Sequence, residues 1–271
     1  MIAITRGVAR TIQQAQVTHV ERQRIDYGVA AAQHRQYVDL LQALGCTVVE
    51  LPADDAHPDC VFIEDTAIVF DDLAVITRPG AESRRGETAV VAEALRHHRP
   101  LVHIEAPATI DGGDVLVLDE RVYVGLSTRT NEAALAQLRS LTRREVIGVT
   151  VHGALHLKTA VTRVSRDALL LRREWLDVAP FEGWTLLEAE EPNAMLVGDV
   201  VVYPSAFPET ARMLRERGID VRTVDASELA KAEGGVTCCA LLLKTQGIER
   251  AHIDRRRAVD DHLGQQPSQR R

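Results

Sequence analysis

The sequence is poor in several features that mark specialised classes of protein. Only four cysteines occur in 271 residues, and their spacing is not that of a disulfide framework, which predicts a reduced, cytoplasmic protein. No apolar run approaches the roughly 18 residues of a membrane span. The N-terminus lacks the charged head and apolar core of a signal peptide. The formal charge of -7 argues against a nucleic-acid binder and is compatible with a cationic small-molecule ligand.

Short Val-rich strands alternate with helices of ordinary length along most of the chain. The order strand, strand, helix, strand recurs about every 40 to 50 residues, which is within the range of repeat architectures. No linker interrupts this pattern, so we expect one catalytic domain over residues 1–246. The polar stretch 12–26 is expected to form a mobile surface loop, and the charged tail 247–271 to be disordered.

Two adjacent cysteines occupy a glycine-containing loop that runs into an apolar strand, Lys231-Ala-Glu-Gly-Gly-Val-Thr-Cys-Cys-Ala-Leu-Leu-Leu. A thiol at such a junction is placed as nucleophiles often are. The alternative is that Cys238 and Cys239 are small buried hydrophobic residues, which is the commoner role of a free cysteine. Because side chains alternate along a strand, only one of the two thiols can face a pocket.

Other polar groups fall at strand ends with regular spacing. Glu64 and Asp65 follow an apolar run, Asp111 opens the motif Asp-Gly-Gly-Asp, and His156 lies between two leucines. Asp111 lies 47 residues after Glu64, and His156 lies 45 residues after Asp111. Cys238 follows His156 by 82 residues, which is two units of 41. Taken singly, these groups could be a solvated strand end, a turn and a core histidine. Together they predict one polar residue per unit around a shared centre.

The chemistry of this set favours a cationic substrate. Carboxylates that face a thiol raise its pKa and oppose the thiolate, unless a bound cation offsets their charge. A guanidinium fits, because it is planar, permanently charged and able to present paired donors to carboxylates. The thiol would attack the guanidinium carbon, and a histidine would protonate the departing amine.

Six motifs together resemble the dimethylargininase (dimethylarginine dimethylaminohydrolase) family over residues 1 to about 245. They are Asp59-Cys-Val-Phe-Ile-Glu-Asp65, Ile76-Thr-Arg-Pro-Gly-Ala-Glu-Ser-Arg-Arg85, Asp111-Gly-Gly-Asp-Val115, Val124-Gly-Leu-Ser-Thr-Arg-Thr-Asn131, Leu155-His-Leu-Lys158 and Thr237-Cys-Cys239. The resemblance implies the pentein fold, an α/β propeller of five ββαβ units around a central active site. It also implies hydrolysis of Nω-methylated arginine to citrulline and a methylamine, through a covalent thiouronium intermediate and without metal or cofactor.

The resemblance also assigns roles to individual residues. Cys238 corresponds to the nucleophile, His156 to the general acid and base, and Asp111 to the carboxylate that orients the histidine. The implied substrate-binding residues are Asp65 for the guanidinium, Glu64 and Asp59 beside it, Arg84 and Arg129 for the α-carboxylate, Val17 in a lid loop, and Ala232 through its backbone.

Three other functions remain open from the sequence. An arginine deiminase would use the same thiol and release ammonia, and an amidinotransferase would pass the amidino group to a second substrate. A guanidino-ligand sensor would bind without turnover, although the complete set of Cys238, His156 and Asp111 argues against it. The expected partner is a small molecule, with no nucleic acid or membrane, and the sequence leaves open whether the chain forms a homodimer.

Overall fold

The computed structural model describes residues 1–245, which form five small three-stranded sheets. Each sheet contains one antiparallel and one parallel strand pair. The strands are β1 (Ile2–Arg6), β2 (Thr47–Leu51), β3 (Ala67–Val69), β4 (Ala74–Ile76), β5 (Leu101–His103), β6 (Val115–Leu118), β7 (Arg121–Leu126), β8 (Glu145–Thr150), β9 (Val161–Arg163), β10 (Ala168–Leu171), β11 (Thr185–Glu188), β12 (Met195–Val197), β13 (Val200–Pro204), β14 (Asp220–Val224) and β15 (Ala240–Leu243).

The sheets follow one another along the chain, and the first is completed from both ends of the described region. The strand orders are β15-β1-β2, β3-β4-β5, β6-β7-β8, β9-β10-β11 and β12-β13-β14. The helices are α1 (Tyr27–Ala43), α2 (Thr88–Leu95), α3 (Glu132–Leu141), α4 (Leu157–Ala160), α5 (Pro208–Glu216) and α6 (Ser227–Ala230). In four of the sheets a helix of eight or more residues links the parallel strands. The predicted five-unit propeller is confirmed, and four of its units have the complete ββαβ order.

The unit of β9, β10 and β11 differs from the others. In place of a crossover α-helix it has two short 3-10 turns, Arg173–Trp175 and Ala179–Phe181. Pro180 and Gly183 disfavour a longer helix in this stretch. Phe181, in the second of these turns, packs into the core: its ring stacks on that of Tyr123 at a centroid distance of 4.7 Å, and both side chains are fully buried.

The longest helix has clear start and stop signals. Helix α1 begins after Asp26, whose carboxylate accepts a hydrogen bond from the N–H of Val29, and it ends before Gly45, whose φ is +83°. The apolar run before Glu64 does not continue as a strand, because Ile63–Thr66 form a 3-10 turn before β3. This turn changes the direction in which Glu64 and Asp65 point.

The hydrophobic core is divided among the interfaces between neighbouring sheets. One such cluster joins Leu116 and Tyr123 of the third sheet to Leu169 and Leu171 of the fourth. No helix within residues 1–245 has the length and apolar character needed to cross a membrane. The predicted disordered tail 247–271, with residue 246, lies outside the described residues, so that expectation remains a prediction.

At the centre of the ring, backbone segments of different units approach one another closely. The turn that contains Glu64 packs on the turn Gly112–Asp114, and a Cβ atom on Gly112 would lie 2.0 Å from the carbonyl oxygen of Glu64. A Cβ on Gly113 would lie 2.7 Å from both Asp65 Oδ1 and His156 Nδ1. The two glycines therefore let the side chains of Asp65 and His156 and the backbone of Glu64 share a small volume.

We predict that Gly112→Ala destabilises the protein by several kcal/mol, on the order of the cost of overpacking a core. The reason is that the clash involves backbone, which cannot move away as a side chain can. Gly28→Ala is the control, because an added methyl in the first turn of α1 meets only the Asp26 carboxylate, at 3.3 Å. Urea unfolding monitored by circular dichroism measures both changes, and equal stability of Gly112→Ala and wild type would contradict the close packing.

Candidate active site

The polar residues at the centre come from turns that precede the first strand of each unit. Asp65 precedes β3, Asp111 precedes β6, His156 precedes α4 and β9, Asn193 precedes β12, and Cys238 precedes β15. Successive separations are 46 (111−65), 45 (156−111), 37 (193−156) and 45 (238−193) residues. The sequence interpretation found four of these positions and treated the gap before Cys238 as two units. Asn193 occupies the position in between.

One narrow pocket gathers most of the predicted site residues. Its lining includes Asp59, Asp65, Arg84, Arg129, His156, Ala232 and Cys238. These residues come from five separate segments of the chain, and the ring of turns brings them together. Gln16, Phe62, Leu155, Glu233 and Gly234 complete the wall.

His156 lies between two buried carboxylates. Its Nε2 is 3.0 Å from Asp111 Oδ2, and its Nδ1 is 3.8 Å from Asp65 Oδ1. Burial lowers the pKa of His156, but Asp65, the hydrogen bond to Asp111 and the charge of Asp114 outweigh it and raise the pKa to about 9. The imidazole is therefore protonated at neutral pH and can serve as a proton donor.

Each carboxylate is fixed from its other side. Asp111 is fully buried, and its Oδ1 accepts the N–H of Gly80 at 2.9 Å while Oδ2 faces His156. Asp65 accepts the N–H of Gly113 at 3.0 Å and a hydrogen bond from Arg84 Nη1. Burial raises the pKa of Asp65, but His156 and Arg84 together lower it to about 2, so this carboxylate stays ionised.

Cys238 faces the pocket as an uncharged thiol. Its Sγ is 3.3 Å from the N–H of Gly235, which points at the sulfur, and its backbone carbonyl accepts the N–H of Glu64 at 3.0 Å. Burial raises the pKa of the thiol far above its usual range, and the negative charges of Glu64 and Asp65 raise it further. Cys239 does not line the pocket and packs in the core with Sγ 3.7 Å from the carbonyl of Gly235.

The two arginines of the pocket differ in how many of their side-chain N–H groups already have hydrogen-bond partners. Arg84 is buried and bonds Glu87 through Nε and Nη2, Asp65 through Nη1 and the carbonyl of Phe62 through Nη2. Arg129 makes one side-chain hydrogen bond, from Nη2 to the hydroxyl of Thr18 at 3.3 Å, and its Nη1 lies 3.8 Å from Asp111 Oδ2. Arg129 therefore has more donors available to a ligand than Arg84 has.

Glu64 and Val17 lie elsewhere than the sequence interpretation expected. The Glu64 carboxylate pairs with Lys158 Nζ at 2.5 Å and accepts the hydroxyl of Thr237 at 2.8 Å, and it lines a second cavity instead of the pocket. The 3-10 turn over residues 63–66 causes this, because it sends Glu64 and Asp65 in different directions. Val17 is half-buried in the loop beside the pocket but is not among the pocket-lining residues.

The expected surface loop is held down by a residue that the sequence interpretation missed. The carboxylate of Glu233 accepts the backbone N–H groups of Thr18, His19 and Val20, and Asp59 accepts that of Gln16 at 3.0 Å. Glu233 adopts a φ of +61°, which aims its side chain at the loop. No sequence pattern marks such a contact, because its partners are backbone groups more than 200 residues away.

The cluster of Asp65, Asp111 and His156 could also accept a divalent cation, since their ligand atoms lie within 4.8 Å of one another. Two nearby guanidinium groups oppose this, because Arg84 is bonded to Asp65 and Arg129 lies beside Asp111. The protonated imidazole supplies the positive charge that these carboxylates require.

A five-unit ring with a thiol, a protonated histidine and buried carboxylates at its centre defines the class. It is the arrangement of the pentein enzymes, which modify guanidino groups. Comparison with known proteins narrows this further: residues 8–179 match the family described as N,N dimethylarginine dimethylhydrolase, eukaryotic. The chain belongs to the dimethylarginine dimethylaminohydrolase family.

Individual relatives agree with this assignment. The chain is 40% identical to the N(G),N(G)-dimethylarginine dimethylaminohydrolase of Streptomyces coelicolor, over 89% of this chain and 96% of that protein. The enzyme of the same name from Pseudomonas aeruginosa is 34% identical over 80% of this chain and 89% of its own length. A crystal structure of a Pseudomonas aeruginosa variant with citrulline superposes with a TM-score of 0.83, at 32% identity, covering 88% of this chain and 97% of the other.

We predict that Glu233→Ala frees the loop over residues 18–20, because three backbone N–H groups lose their shared acceptor. Arg22 and Arg24 are exposed in the same loop, so trypsin should cut there several-fold faster than in wild type. Glu209→Ala, which removes an exposed ion pair on α5, is the control. Unchanged cleavage in Glu233→Ala would show that other contacts hold the loop.

Proposed function

We propose that the protein hydrolyses Nω-methylated L-arginine to L-citrulline and methylamine or dimethylamine, with Cys238 as nucleophile. The observation that carries this proposal is the placement of the Cys238 thiol in one pocket with His156 and Asp65, while Asp111 bonds the histidine from behind the pocket wall. The four free thiols fit a reducing compartment, so we also propose that the protein is cytoplasmic.

The pocket favours a guanidinium because its free form has acidic groups beside an uncharged thiol. Asp65 is ionised and already bonded to one guanidinium, that of Arg84, which supports a guanidinium as its substrate partner. Asp59 lies in the same wall. A substrate cation held by these carboxylates offsets the negative charge that keeps the Cys238 proton in place, and binding thereby promotes loss of that proton to solvent.

The reaction then proceeds in two halves. The thiolate attacks the guanidinium carbon, the bond from that carbon to the methylated nitrogen breaks, and His156 gives its proton to the departing amine. This leaves a positively charged thiouronium on Cys238 and a neutral imidazole. His156 next removes a proton from water, whose oxygen attacks the same carbon. The carbon–sulfur bond breaks, and the proton of the added hydroxyl passes to the departing sulfur as the carbonyl of citrulline forms, which restores the Cys238 thiol while His156 keeps the proton that it took from water.

The groups around Cys238 and His156 position the imidazole and the substrate. Asp111 holds the imidazole through Nε2, so we propose it as the orienting carboxylate. We propose that Arg129 binds the α-carboxylate, with a smaller share from Arg84, whose donors are largely committed to Glu87 and Asp65. Ala232 lines the pocket and offers its backbone to the amino-acid head, and Val17 contributes through the loop alone.

The direct test is an assay of citrulline from arginine and from each methylated arginine, with the released amine identified. The proposal predicts methylamine or dimethylamine in equal amount to citrulline. Ammonia from arginine as the main product would indicate a deiminase, transfer of the amidino group to an added amine would indicate a transferase, and tight binding without product would indicate a sensor.

We predict that Cys238→Ser lowers kcat by at least about 1,000-fold, since a hydroxyl is a far weaker nucleophile than a thiolate. Cys239→Ser should keep much of the activity, because Cys239 packs in the core outside the pocket. Comparing the two variants controls for any general effect of a Cys→Ser change in this loop. Equal loss of citrulline formation in both variants would remove the assignment of Cys238.

We predict that kcat/KM rises with pH up to about 9 and then levels off. Attack needs the Cys238 thiolate together with protonated His156, and burial and neighbouring carboxylates raise the pKa of the thiol above that of His156, which is about 9. Below pH 9 only the thiolate fraction changes, so kcat/KM rises about tenfold per pH unit; above pH 9 the loss of the His156 proton cancels the gain in thiolate. A profile that keeps rising about tenfold per pH unit to pH 10.5 would contradict the role of His156 as the acid.

A further inference from the structure

Asn193 holds the central position of the one unit that supplies neither a charged group nor the nucleophile. It lies before β12, as Cys238 lies before β15, and it is 3% exposed. A buried amide needs partners for its oxygen and both of its N–H groups, and all three are used here. Its contacts therefore show what the position does.

The Asn193 amide joins two segments of the site. Nδ2 donates to the hydroxyl of Thr237 at 2.9 Å and to the carbonyl of Lys158 at 3.1 Å, while Oδ1 accepts the N–H of Thr237 at 3.1 Å. Thr237 directly precedes Cys238, and Lys158 lies two residues after His156 in α4. A single side chain thus connects the segment of the nucleophile to the segment of the histidine.

The same amide also limits where the loop of Cys238 can lie. A Cβ on Gly235 would be 2.3 Å from Asn193 Oδ1, so the loop backbone packs directly on the amide. The N–H of Gly235 is the group that points at Cys238 Sγ, at 3.3 Å. Any shift of the loop away from Asn193 therefore moves both the sulfur and the donor beside it.

The loop is held on its other side as well. The Thr237 hydroxyl, which accepts from Asn193, donates to Glu64 Oε2 at 2.8 Å, and Glu64 is paired with Lys158. Asn193, Thr237, Glu64 and Lys158 thus form a closed network beneath the nucleophile. This explains why Glu64 faces away from the pocket: its carboxylate is part of the support.

We propose that Asn193 is a positioning residue that fixes the loop of Cys238 relative to helix α4, which directly follows His156. This proposal rests on the proposed function, because it assigns Asn193 a role in the attack of Cys238 and in proton transfer from His156. Asn193 does not line the substrate pocket, so its contribution is to the geometry of the reacting groups and not to substrate binding.

Because Asn193 acts on the geometry of the reacting groups and not on substrate binding, its loss should change kcat more than KM. In Asn193→Ala the Thr237 segment loses two hydrogen bonds and gains room to move, so the distance between sulfur and substrate carbon is no longer fixed. Misplacement of about 1 Å can cost on the order of 100-fold in rate. We expect kcat to fall about 10- to 100-fold while KM changes less than about three-fold.

The control is Gln137→Ala. Gln137 also uses its side-chain amide to exchange two hydrogen bonds with the backbone of a single residue, Glu105, but it lies on helix α3 and outside the pocket. Its loss should lower thermal stability with kcat unchanged. If Asn193→Ala keeps kcat within two-fold of wild type, or if Gln137→Ala loses as much kcat, the positioning role is wrong.

A second pair covers the case in which Asn193→Ala fails to fold. Thr237→Ser keeps the hydroxyl that bonds Asn193 and Glu64, and Thr237→Val keeps the shape without it. The proposal predicts nearly wild-type kcat for the serine variant and a loss of at least 10-fold for the valine variant, at similar KM. Equal kcat values for the two variants would overturn it.

One measurement separates this proposal from the proposed function. The rate of Cys238 alkylation by iodoacetamide, followed against pH in a Cys239→Ser background, needs no substrate. Displacement of the Gly235 N–H should move the midpoint of this profile to higher pH in Thr237→Val and in Asn193→Ala, but not in Gln137→Ala. An unchanged profile overturns the positioning role, whereas a shifted profile in a protein whose wild type makes no citrulline refutes only the proposed function.

Discussion

The site depends on a buried cluster in which the imidazolium of His156 lies between the carboxylates of Asp111 and Asp65. Buried charges are costly unless they are paired and hydrogen-bonded, and here each carboxylate also accepts a backbone N–H from a glycine. The cluster keeps a proton on His156, keeps Asp65 ionised and, together with burial, keeps the Cys238 thiol uncharged. A bound cation changes this balance, so reactivity is coupled to the charge of the ligand.

The ring of five units makes this cluster possible. Each unit contributes one turn to the centre, and the turns of neighbouring units can touch because Gly112 and Gly113 carry no side chain between them. The loop over residues 15–26 lies beside the pocket, contributes Gln16 to its wall and is held by Glu233 and Asp59. The stability of the fold and the geometry of the site therefore depend on the same contacts, and a change at the centre affects both.

The fold and much of the site could be predicted from the sequence. The repeated strand, strand, helix, strand pattern indicated the architecture, and near-equal spacing identified Asp111, His156 and Cys238 as members of one set. Two features of the centre were missed, for different reasons. Adjacent Glu64 and Asp65 were expected to point alike, and a 3-10 turn separates them. Asn193 carries no charge, so nothing in its chemistry distinguished it, although its spacing from His156 could have identified it.

The central claim is that Cys238 forms a covalent bond to the guanidinium carbon of the substrate. Rapid mixing of the protein with dimethylarginine, acid quenching within milliseconds and peptide mass spectrometry test this directly. The account predicts that the peptide containing Cys238 gains the mass of dimethylarginine less dimethylamine, with fragment ions placing the adduct on Cys238, and that Cys238→Ser shows no adduct. Citrulline formed at full rate without any adduct on Cys238, or with the adduct on Cys239, would contradict it.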